Sequence, residues 1–125
     1  MIRGIGIDVV QVSRIRGWVD QGGLLERYFH PGELAATRNR GDQGVLSLAA
    51  RFAAKEAFGK ALGTGLRDIS LREIEVTNDE LGKPDMRLHG TALRALERFG
   101  GHRIFLSLTH EIDNAIAMIV IEGAP

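Results

Sequence analysis

Cysteine is absent from the 125-residue sequence. Disulfide bonds, a thiolate nucleophile and a cysteine-based zinc site are therefore excluded. Only three prolines are present, and no repeat, low-complexity tract or linker rich in proline and serine divides the chain. These features predict one domain over residues 1–125, long enough to bury a core without covalent cross-links.

Long hydrophobic runs are absent as well. Residues 1–10 are mostly apolar, but the stretch is short, it carries one arginine, and Asp8 interrupts it. It is too short for a membrane span and does not have the organisation of a signal peptide. We therefore expect a cytoplasmic protein that does not associate with membranes.

An excess of charge of one sign is also missing, because 16 basic residues balance 16 acidic ones. The charge is nevertheless uneven along the chain. Residues 1–72 carry 11 Lys and Arg against 7 Asp and Glu, a net charge of +4, whereas residues 73–125 carry 5 against 9, a net charge of −4. Thirteen of the cations are arginine, which suits bidentate binding of phosphate or carboxylate. An ordinary solvated surface explains the distribution equally well, and nothing in it predicts a nucleic-acid partner.

Hydrophobic periodicity and turn residues predict an α+β domain in which an antiparallel sheet packs against a long central helix. The longest predicted helix covers residues 45–62, and a loop is predicted before it at residues 41–44. The remaining predicted elements are strands at 1–10, 73–78, 103–109 and 115–122, a strand through Met86 and Leu88, and helices at 12–21, 24–29 and 91–99, with one more beginning at Pro31.

Two carboxylates are candidates for chemistry. Asp8 directly follows an apolar strand, where an ionised group is costly unless it is paired or binds a cation. A cap for the following helix is the simpler explanation. Glu56 precedes Lys60 by four residues on the long helix, so these two lie about 40° apart around its axis. A Glu–Lys pair four residues apart is common in helices, which is the simpler explanation for Glu56 and Lys60. Arg51 and Lys55 form a second stripe on a different side of the helix.

Glycines occur at two places where a ligand-binding motif could lie, and neither place has a specific fingerprint. Gly63-Thr64-Gly65 follows the long helix and would let a ligand approach the backbone, although a helix stop explains it equally well. No Walker motif is present. Gly4 and Gly6 lie inside the first strand rather than after it, so they do not form a dinucleotide-binding fingerprint.

The strand ending at His110 carries hydroxyl groups. Strand alternation places Ser107 and Thr109 on one face and His110 on the other. A small hydrolase that uses a serine or threonine with this histidine remains possible, but the nucleophile-elbow pattern is missing. A structural role for the histidine is an equally simple explanation.

Five sequence blocks occur in an order that is typical of one family. They are Gly4-Ile5-Gly6-Ile7-Asp8, Arg51-Phe52-Ala53-Ala54-Lys55-Glu56-Ala57, Gly63-Thr64-Gly65, Gly82-Lys83-Pro84 and Leu106-Ser107-Leu108-Thr109-His110. Over nearly its whole length the chain resembles the small, single-domain branch of the 4′-phosphopantetheinyl transferases, the holo-[acyl-carrier-protein] synthases. The first two blocks together are highly specific, and the shorter ones support them.

The resemblance implies a reaction and a metal ion. The 4′-phosphopantetheine part of coenzyme A would be transferred to a serine of apo acyl carrier protein, and adenosine 3′,5′-bisphosphate would leave. By the same resemblance Asp8 and Glu56 hold Mg²⁺, an ion that prefers a few oxygen ligands with water and phosphate completing its shell. The larger branch has a second acid where this chain has Val10, so water would fill that position.

The resemblance also assigns the donor site. Lys60 would contact the pyrophosphate, Ser107 and His110 would bind coenzyme A phosphates, and Arg51 would meet the 3′-phosphate. Three groups are candidates for the general base: Glu56, a metal-bound water and His110. Glu111 is given no role. The pocket for the nucleotide would be lined by Gly63, Thr64, Gly65, Lys83 and Pro84.

Partners follow from the resemblance too. The acidic carrier protein would dock on basic residues of and near the first helix, namely Arg14, Arg16 and Arg27. A homotrimer with active sites between subunits is implied. The apolar strand at 115–121 would then serve either as an interface or as interior sheet.

Two further hypotheses stay open from the sequence. One is a non-catalytic module of the same fold that binds coenzyme A or another nucleotide. The other is a structural oligomer, for which the proximity of Lys55, Glu56 and Lys60 to the Gly-Thr-Gly loop would be a coincidence. The resemblance points to fatty acid biosynthesis, but the sequence does not distinguish a fatty acid carrier from a polyketide carrier.

Overall fold

Five α-helices, five strands and a short 3₁₀ helix at Leu71–Glu73 make up the fold in the computed structural model, which describes all residues from 1 to 125. None of the helices combines the length and the apolar character that crossing a membrane requires. In chain order the elements are β1 (Ile2–Gln11), α1 (Val12–Val19), α2 (Leu24–Tyr28), α3 (Pro31–Thr37), α4 (Gly41–Leu62), β2 (Ile74–Asn78), β3 (Pro84–Leu88), α5 (Gly90–Phe99), β4 (Gly101–His110) and β5 (Asn114–Gly123).

The strands form two antiparallel sheets. Three ten-residue strands are ordered β1-β5-β4, with β5 in the centre, while β2 and β3 form a separate hairpin. In the larger sheet Asp8 lies opposite Ala117, and Ala117 lies opposite Leu108. Because side chains alternate along a strand, these three residues share the face that is directed towards α4.

Helix α4 packs directly on the larger sheet. Its middle is rich in alanine, and Ala53, Ala54 and Ala57 are fully buried. Two glycines on β1 allow the close approach: a Cβ atom built on Gly6 would lie 2.1 Å from the carbonyl oxygen of Ala57, and one on Gly4 would lie equally close to that of Ala61. Main chain therefore meets main chain at this contact, with no room for a side chain between them.

The opposite face of the larger sheet is apolar and open to solvent. Five large side chains on it are between 40 % and 63 % exposed: Ile5, Ile7, Val9, Phe105 and Met118. Strand β5 contributes to both faces, since Ala117 and Ile119 are buried against α4 while Met118 is on the outer side. Outward-facing apolar patches of this kind are common at interaction surfaces of proteins.

The predicted fold class is confirmed, with one error in the elements. Residues 41–44 were expected to form a loop, but they are the first turn of α4. Gly44 is buried there, and a Cβ on it would lie 2.5 Å from the carbonyl oxygen of Thr37. The glycine thus serves close packing against the end of α3 rather than a turn, and Asp42 in the first turn favours the helix through its dipole.

Candidate functional site

Asp8 projects from the inner face of β1 towards α4. Its Oδ1 atom accepts a hydrogen bond from Nζ of Lys60 at 2.8 Å, and its side chain is 16 % exposed against 57 % for Lys60. This hydrogen bond raises the pKa of Lys60. The residue preceding α1 is Gln11, so Asp8 does not cap that helix. The simpler explanation for this carboxylate is therefore wrong.

Glu56 stands beside the Asp8–Lys60 pair. It is half-buried and makes no ion pair of its own. Burial raises the pKa of Glu56, and the negative charge of Asp8 raises it further, whereas Arg14 and Lys60 act in the opposite direction. Two carboxylates close enough to repel each other are costly unless a cation joins them.

This oxygen-rich pair suits a hard divalent cation. Mg²⁺ is held in many proteins by one or two carboxylates, with water and substrate phosphate supplying the other ligands. Asp8 and Glu56 provide that number of carboxylates, and no histidine or sulfur ligand accompanies them. The donor set therefore fits the metal that the resemblance implies.

A cavity of about 430 Å³ lies between the amino-terminal half of α4, the β2–β3 hairpin and the end of β4. It joins three of the predicted donor-site residues, Arg51, Pro84 and His110. The other residues lining it are Arg40, Gln43, Ser47, Ala50, Asn78, Gly82 and Leu108. We call it the Arg51 cavity, because the guanidinium of Arg51 is a buried positive charge in its wall.

Several neighbours hold the guanidinium of Arg51 in place. Its Nη1 donates to the hydroxyl of Ser47, and its Nη2 donates to Oδ1 of Asn78 at 2.9 Å. The carboxylate of Glu33 is 3.8 Å from its Nε, which is buried and makes no hydrogen bond. Burial lowers the pKa of Arg51 while Glu33 counteracts this.

Lys55 lies next to this arrangement and is fully buried. Its Nζ donates to Oε1 of Glu33 at 2.7 Å, to the carbonyl oxygen of Leu71 at 3.0 Å and to that of Ile74. Burial lowers the pKa of Lys55, and the ion pair with Glu33 opposes that shift. All three ammonium protons have acceptors, so Lys55 has a structural role rather than a ligand-binding one.

The metal-site residue Glu56 and the cavity residue Arg51 lie on different sides of α4. Arg51 and Glu56 are five residues apart, which places them about 140° apart around the helix axis. One side of the helix thus carries Glu56 and Lys60 and faces Asp8 of β1, and another side borders the Arg51 cavity. A single chain does not unite the expected metal site and the expected nucleotide site in one pocket.

The remaining donor-site residues are dispersed. Gly63 ends α4 in a left-handed conformation, and Thr64 lines a separate cavity of about 350 Å³. Gly65 follows in the same loop and packs against Gly59. Lys83 borders another cavity that shares only Pro84 with the Arg51 cavity.

Ser107 lies on the outer, apolar face of the sheet. Its partner across the strand pair is Met118, and Thr109 lies on the same face. His110 lies on the other face, as predicted, and lines the Arg51 cavity. A hydrolase that pairs either hydroxyl with His110 is therefore excluded within one chain.

The three arginines expected to dock a carrier protein are exposed. The guanidinium of Arg14 lies over the rings of Trp18 and Phe52, at 5.3 and 5.2 Å from their centroids. Arg16 makes a surface ion pair with Asp42 at 3.7 Å. Arg27 is on α2, and it makes no ion pair.

The residues that hold Arg51 in position were not among the predicted site residues. Glu33, Ser47 and Asn78 hold Arg51, but only Ser47 is near it in sequence. The spacing of four residues between Ser47 and Arg51 on a helix was the only available signal. Asn78 ends the strand predicted at residues 73–78, and nothing local indicates that its side chain reaches α4.

Comparisons with known proteins agree with the geometry. Residues 4–117 match the family model described as the 4′-phosphopantetheinyl transferase superfamily. A holo-[acyl-carrier-protein] synthase from Treponema denticola is 54 % identical over 123 residues, which is 98 % of this chain and the whole of the relative.

Solved structures show the same similarity. The crystal structure of holo-[acyl-carrier-protein] synthase from Neisseria meningitidis superposes with a TM-score of 0.86 at 42 % identity, covering 98 % of this chain and 99 % of that one. A synthase from Bacillus anthracis, in complex with coenzyme A (3′,5′-ADP), superposes with a TM-score of 0.83 at 35 % identity and covers 99 % of both chains. The chain belongs to the 4′-phosphopantetheinyl transferase superfamily.

Proposed function

We propose that this chain is a holo-[acyl-carrier-protein] synthase. It transfers the 4′-phosphopantetheine part of coenzyme A to a serine hydroxyl of an apo acyl carrier protein and releases adenosine 3′,5′-bisphosphate. The observation that carries the proposal is the pair of partly buried carboxylates, Asp8 and Glu56, beside Lys60. The full-length identity with a synthase from Treponema denticola supports it. We expect the reaction to take place in the cytoplasm.

Asp8 and Glu56 are the proposed ligands of Mg²⁺. When bound, this ion would neutralise charge on the pyrophosphate oxygens as the phosphorus–oxygen bond breaks. Lys60 already lies at Asp8, and its long, exposed side chain can turn towards a phosphate oxygen of the donor. Its ammonium group would then stabilise the negative charge that accumulates on the leaving group.

The Arg51 cavity is the proposed site for the nucleotide end of coenzyme A. Ser47 and Asn78 fix the guanidinium before the ligand arrives, so little side-chain entropy is lost when it meets the 3′-phosphate. His110 would donate a hydrogen bond to a phosphate in the same cavity. We assign Gly63, Thr64, Gly65, Lys83, Pro84 and Ser107 to the rest of the donor site.

The chain offers two candidates for the general base that accepts the proton of the serine hydroxyl. Glu56 is a carboxylate beside the Asp8–Lys60 pair and is chemically competent as a proton acceptor. His110 lies on the other side of α4 and would reach the reacting group only from a neighbouring subunit. We favour Glu56 because it adjoins the proposed metal and pyrophosphate sites.

Self-association would bring the two sides together. We propose a homotrimer in which one subunit supplies Asp8, Glu56 and Lys60 and its neighbour supplies the Arg51 cavity. The exposed apolar face of the larger sheet supports this, because Ile5, Ile7 and Met118 would be buried in such an assembly. Ser107 on that face would then be near a neighbouring subunit.

The carrier protein is proposed to dock beside the metal site. Arg14 influences the charge state of Glu56, so the first helix adjoins that site. Arg14, Arg16 and Arg27 are exposed and would attract an acidic partner, with an association rate that falls as salt is added. Stacking on Trp18 holds the guanidinium of Arg14 in a defined position.

The deciding experiment measures transfer directly. The protein is mixed with apo acyl carrier protein, coenzyme A and Mg²⁺, and the carrier is weighed by mass spectrometry. Asp8→Asn and Glu56→Gln should each lower the rate by about 100-fold or more, because each removes a charge used in the transition state. Glu97→Gln, an exposed carboxylate on α5, is the matched control and should keep full activity.

Different failures have different meanings. If the protein binds coenzyme A but adds no mass to any of several carriers, it is a non-catalytic binding module. If Asp8→Asn and Glu56→Gln are as active as the Glu97→Gln control, the metal assignment is wrong although the activity stands.

Mixing two inactive variants tests the assembly. Asp8→Asn damages one side of α4 and His110→Ala damages the other, so a mixed oligomer contains some sites with both sides intact. Co-refolding of the two should restore part of the transfer activity. A mixture that stays inactive, from variants that are each oligomeric by light scattering, would show that the site lies within one subunit.

A further inference from the structure

Three side chains from separate elements meet at a second site outside the proposed catalytic machinery. His30 precedes the first turn of α3, Glu75 is on β2, and His89 follows the end of β3. None of them borders the Arg51 cavity. Their ligand atoms lie within 4.8 Å of one another.

The carboxylate of Glu75 is central to this group. Its Oε1 is 2.9 Å from Nε2 of His89, and its Oε2 is 3.5 Å from Nδ1 of His30. The two imidazole rings are stacked, with centroids 5.0 Å apart and planes inclined by 19°. Glu75 is only 12 % exposed, and its only ion-pair partners are these two rings.

When His30 is neutral, no proton lies between its Nδ1 atom and Oε2 of Glu75. The backbone N–H of Gly32 donates to Nδ1 of His30 at 3.0 Å, so this nitrogen carries a lone pair. The same nitrogen faces Oε2 of Glu75, which also bears only lone pairs. Two acceptors that face each other repel unless a cation lies between them.

The spacing suits a metal ion. Bonds of about 2.0–2.2 Å to nitrogen and oxygen place neighbouring ligand atoms about 2.9–3.5 Å apart in tetrahedral or octahedral geometry. Each ring nitrogen lies within that range of a different oxygen of Glu75: Nε2 of His89 is 2.9 Å from Oε1, and Nδ1 of His30 is 3.5 Å from Oε2. Imidazole ligands suit Zn²⁺ and neighbouring transition metals, whereas Mg²⁺ prefers oxygen alone.

No lysine or arginine forms an ion pair with Glu75, so its negative charge is available to a cation. Glu73 ends the short helical turn before β2, accepts hydrogen bonds from the N–H and hydroxyl of Thr91, and adds negative charge near His89. Arg87 is opposite Glu75 in the hairpin, but it is exposed and makes no ion pair with it. His89 is 44 % exposed, so water has access to the remaining coordination positions.

We propose that His30, Glu75 and His89 form a binding site for a divalent transition-metal ion of the Zn²⁺ class. Nδ1 of His30, the carboxylate of Glu75 and Nε2 of His89 are the ligands. The N–H of Gly32 is exposed and exchanges its histidine acceptor for water when the metal binds. The ion joins the start of α3 to the β2–β3 hairpin.

The metal site is connected through Glu33 with the residues that hold Arg51 in the proposed donor site. Three residues after His30, the side chain of Glu33 binds the N–H of Val76 and the ammonium of Lys55. Fixing the start of α3 against the hairpin therefore stabilises the contacts that hold Arg51. The site is separate from Asp8 and Glu56, so its occupancy is measurable without any assay of transfer.

The test is a titration of the whole protein with Zn²⁺ in buffer that contains excess Mg²⁺, so that the oxygen site is occupied. Calorimetry should give one Zn²⁺ per chain, and Co²⁺ in its place should give visible absorption bands. Binding should raise the melting temperature by on the order of 5 °C at Zn²⁺ concentrations well above the dissociation constant. His30→Ala and His89→Ala should each weaken binding by at least about tenfold.

His102→Ala is the matched control, because His102 is an exposed histidine outside the group. It should bind Zn²⁺ like the unaltered protein. A second measurement on the unaltered protein covers the case in which the alanine variants do not fold: imidazole nitrogen resonances should shift for two of the four histidines when Zn²⁺ is added. Absence of saturable binding, or equal weakening by His102→Ala, would overturn the proposal, as would imidazole shifts that follow pH but not Zn²⁺.

Discussion

Lys55 and Glu56 are neighbours in the sequence, yet they lie in opposite kinds of environment. Lys55 is fully buried, and Glu33 and two backbone carbonyls accept its three protons. Glu56 is half-buried, has no ion pair, and feels the repulsion of Asp8. The positive charge of Lys55 is therefore fully paired. The negative charge of Glu56 has no ion-pair partner and is available for a ligand to neutralise.

The contrast separates a structural ion pair from a binding site. Both oxygens of Glu33 are occupied, since Oε1 accepts from His30 N–H at 2.9 Å and from Lys55, and Oε2 accepts from Val76 N–H at 3.1 Å. Nothing further can bind there without breaking a contact. At Asp8 only the exposed side chain of Lys60 must move. A carboxylate with a raised pKa and no ion-pair partner, such as Glu56, is typical of functional sites.

Glu33→Gln should have the largest effect on stability. It leaves the ammonium of Lys55 buried without a counter-charge, which typically costs about 3–5 kcal/mol. Urea unfolding should show the loss as a lower midpoint. The double variant Glu33→Gln, Lys55→Met removes the orphaned charge and should recover part of the stability. A double variant no more stable than Glu33→Gln alone would mean that the buried charge is not the cause.

Gly6→Ala should have an intermediate effect on stability. It changes the surroundings of Asp8 and Glu56 rather than those of Lys55 and Glu33. The new methyl group would meet the carbonyl oxygen of Ala57 at 2.1 Å, so β1 must move away from α4 at a cost of about 1–3 kcal/mol. Asp8 moves with the strand, so Mg²⁺-dependent transfer should fall as well.

Gly17→Ala is its matched control, because no atom lies within 4 Å of the added methyl group. In the middle of α1 it should leave transfer unchanged and stabilise the protein by up to about 1 kcal/mol. If the two alanines behave alike, close packing of β1 on α4 does not matter to the site.

Glu56→Gln should have the smallest effect on stability, and its sign is opposite to that of Glu33→Gln. A raised pKa means that folded protein binds the proton of Glu56 more tightly than unfolded protein does. Stability therefore falls as pH rises from the ordinary glutamate pKa through the raised one. In metal-free buffer at neutral pH the variant should be more stable by less than about 1 kcal/mol, after allowance for solvent screening.

The gain from Glu56→Gln should vanish below the ordinary glutamate pKa, where both states of the unaltered protein are protonated. Thermal unfolding across a pH series measures it. A stability difference that persists at acidic pH would indicate a packing effect. Added Mg²⁺ should stabilise the unaltered protein and leave the variant unchanged.

Local patterns were sufficient for much of the fold and for part of the site. Alternation in β4 correctly put Ser107 and His110 on opposite faces. Helical spacing correctly put Arg51 and Glu56 on different sides of α4. The family blocks predicted Asp8 and Glu56, which the structure brings together.

Other features depend on contacts between distant segments and have no local signal. Lys55 meets Glu33 across 22 residues, and Arg51 meets Asn78 across 27. Gly44 suggested a turn because glycine is common there, but its use in packing depends on the position of α3. Likewise, no rule of spacing connects Glu75 with the two histidines around it.

The contact of β1 with α4 through bare main chain also restricts which acid can occupy each position. With no side chain between Gly6 and Ala57, the backbones at Asp8 and Glu56 are held at a set distance. Only the length of each side chain then decides where its oxygens lie. Exchanging the two acids preserves charge but moves each carboxylate by about 1.5 Å, one carbon–carbon bond, whereas a working site tolerates about 0.5 Å. The short acid belongs on the strand and the long one on the helix.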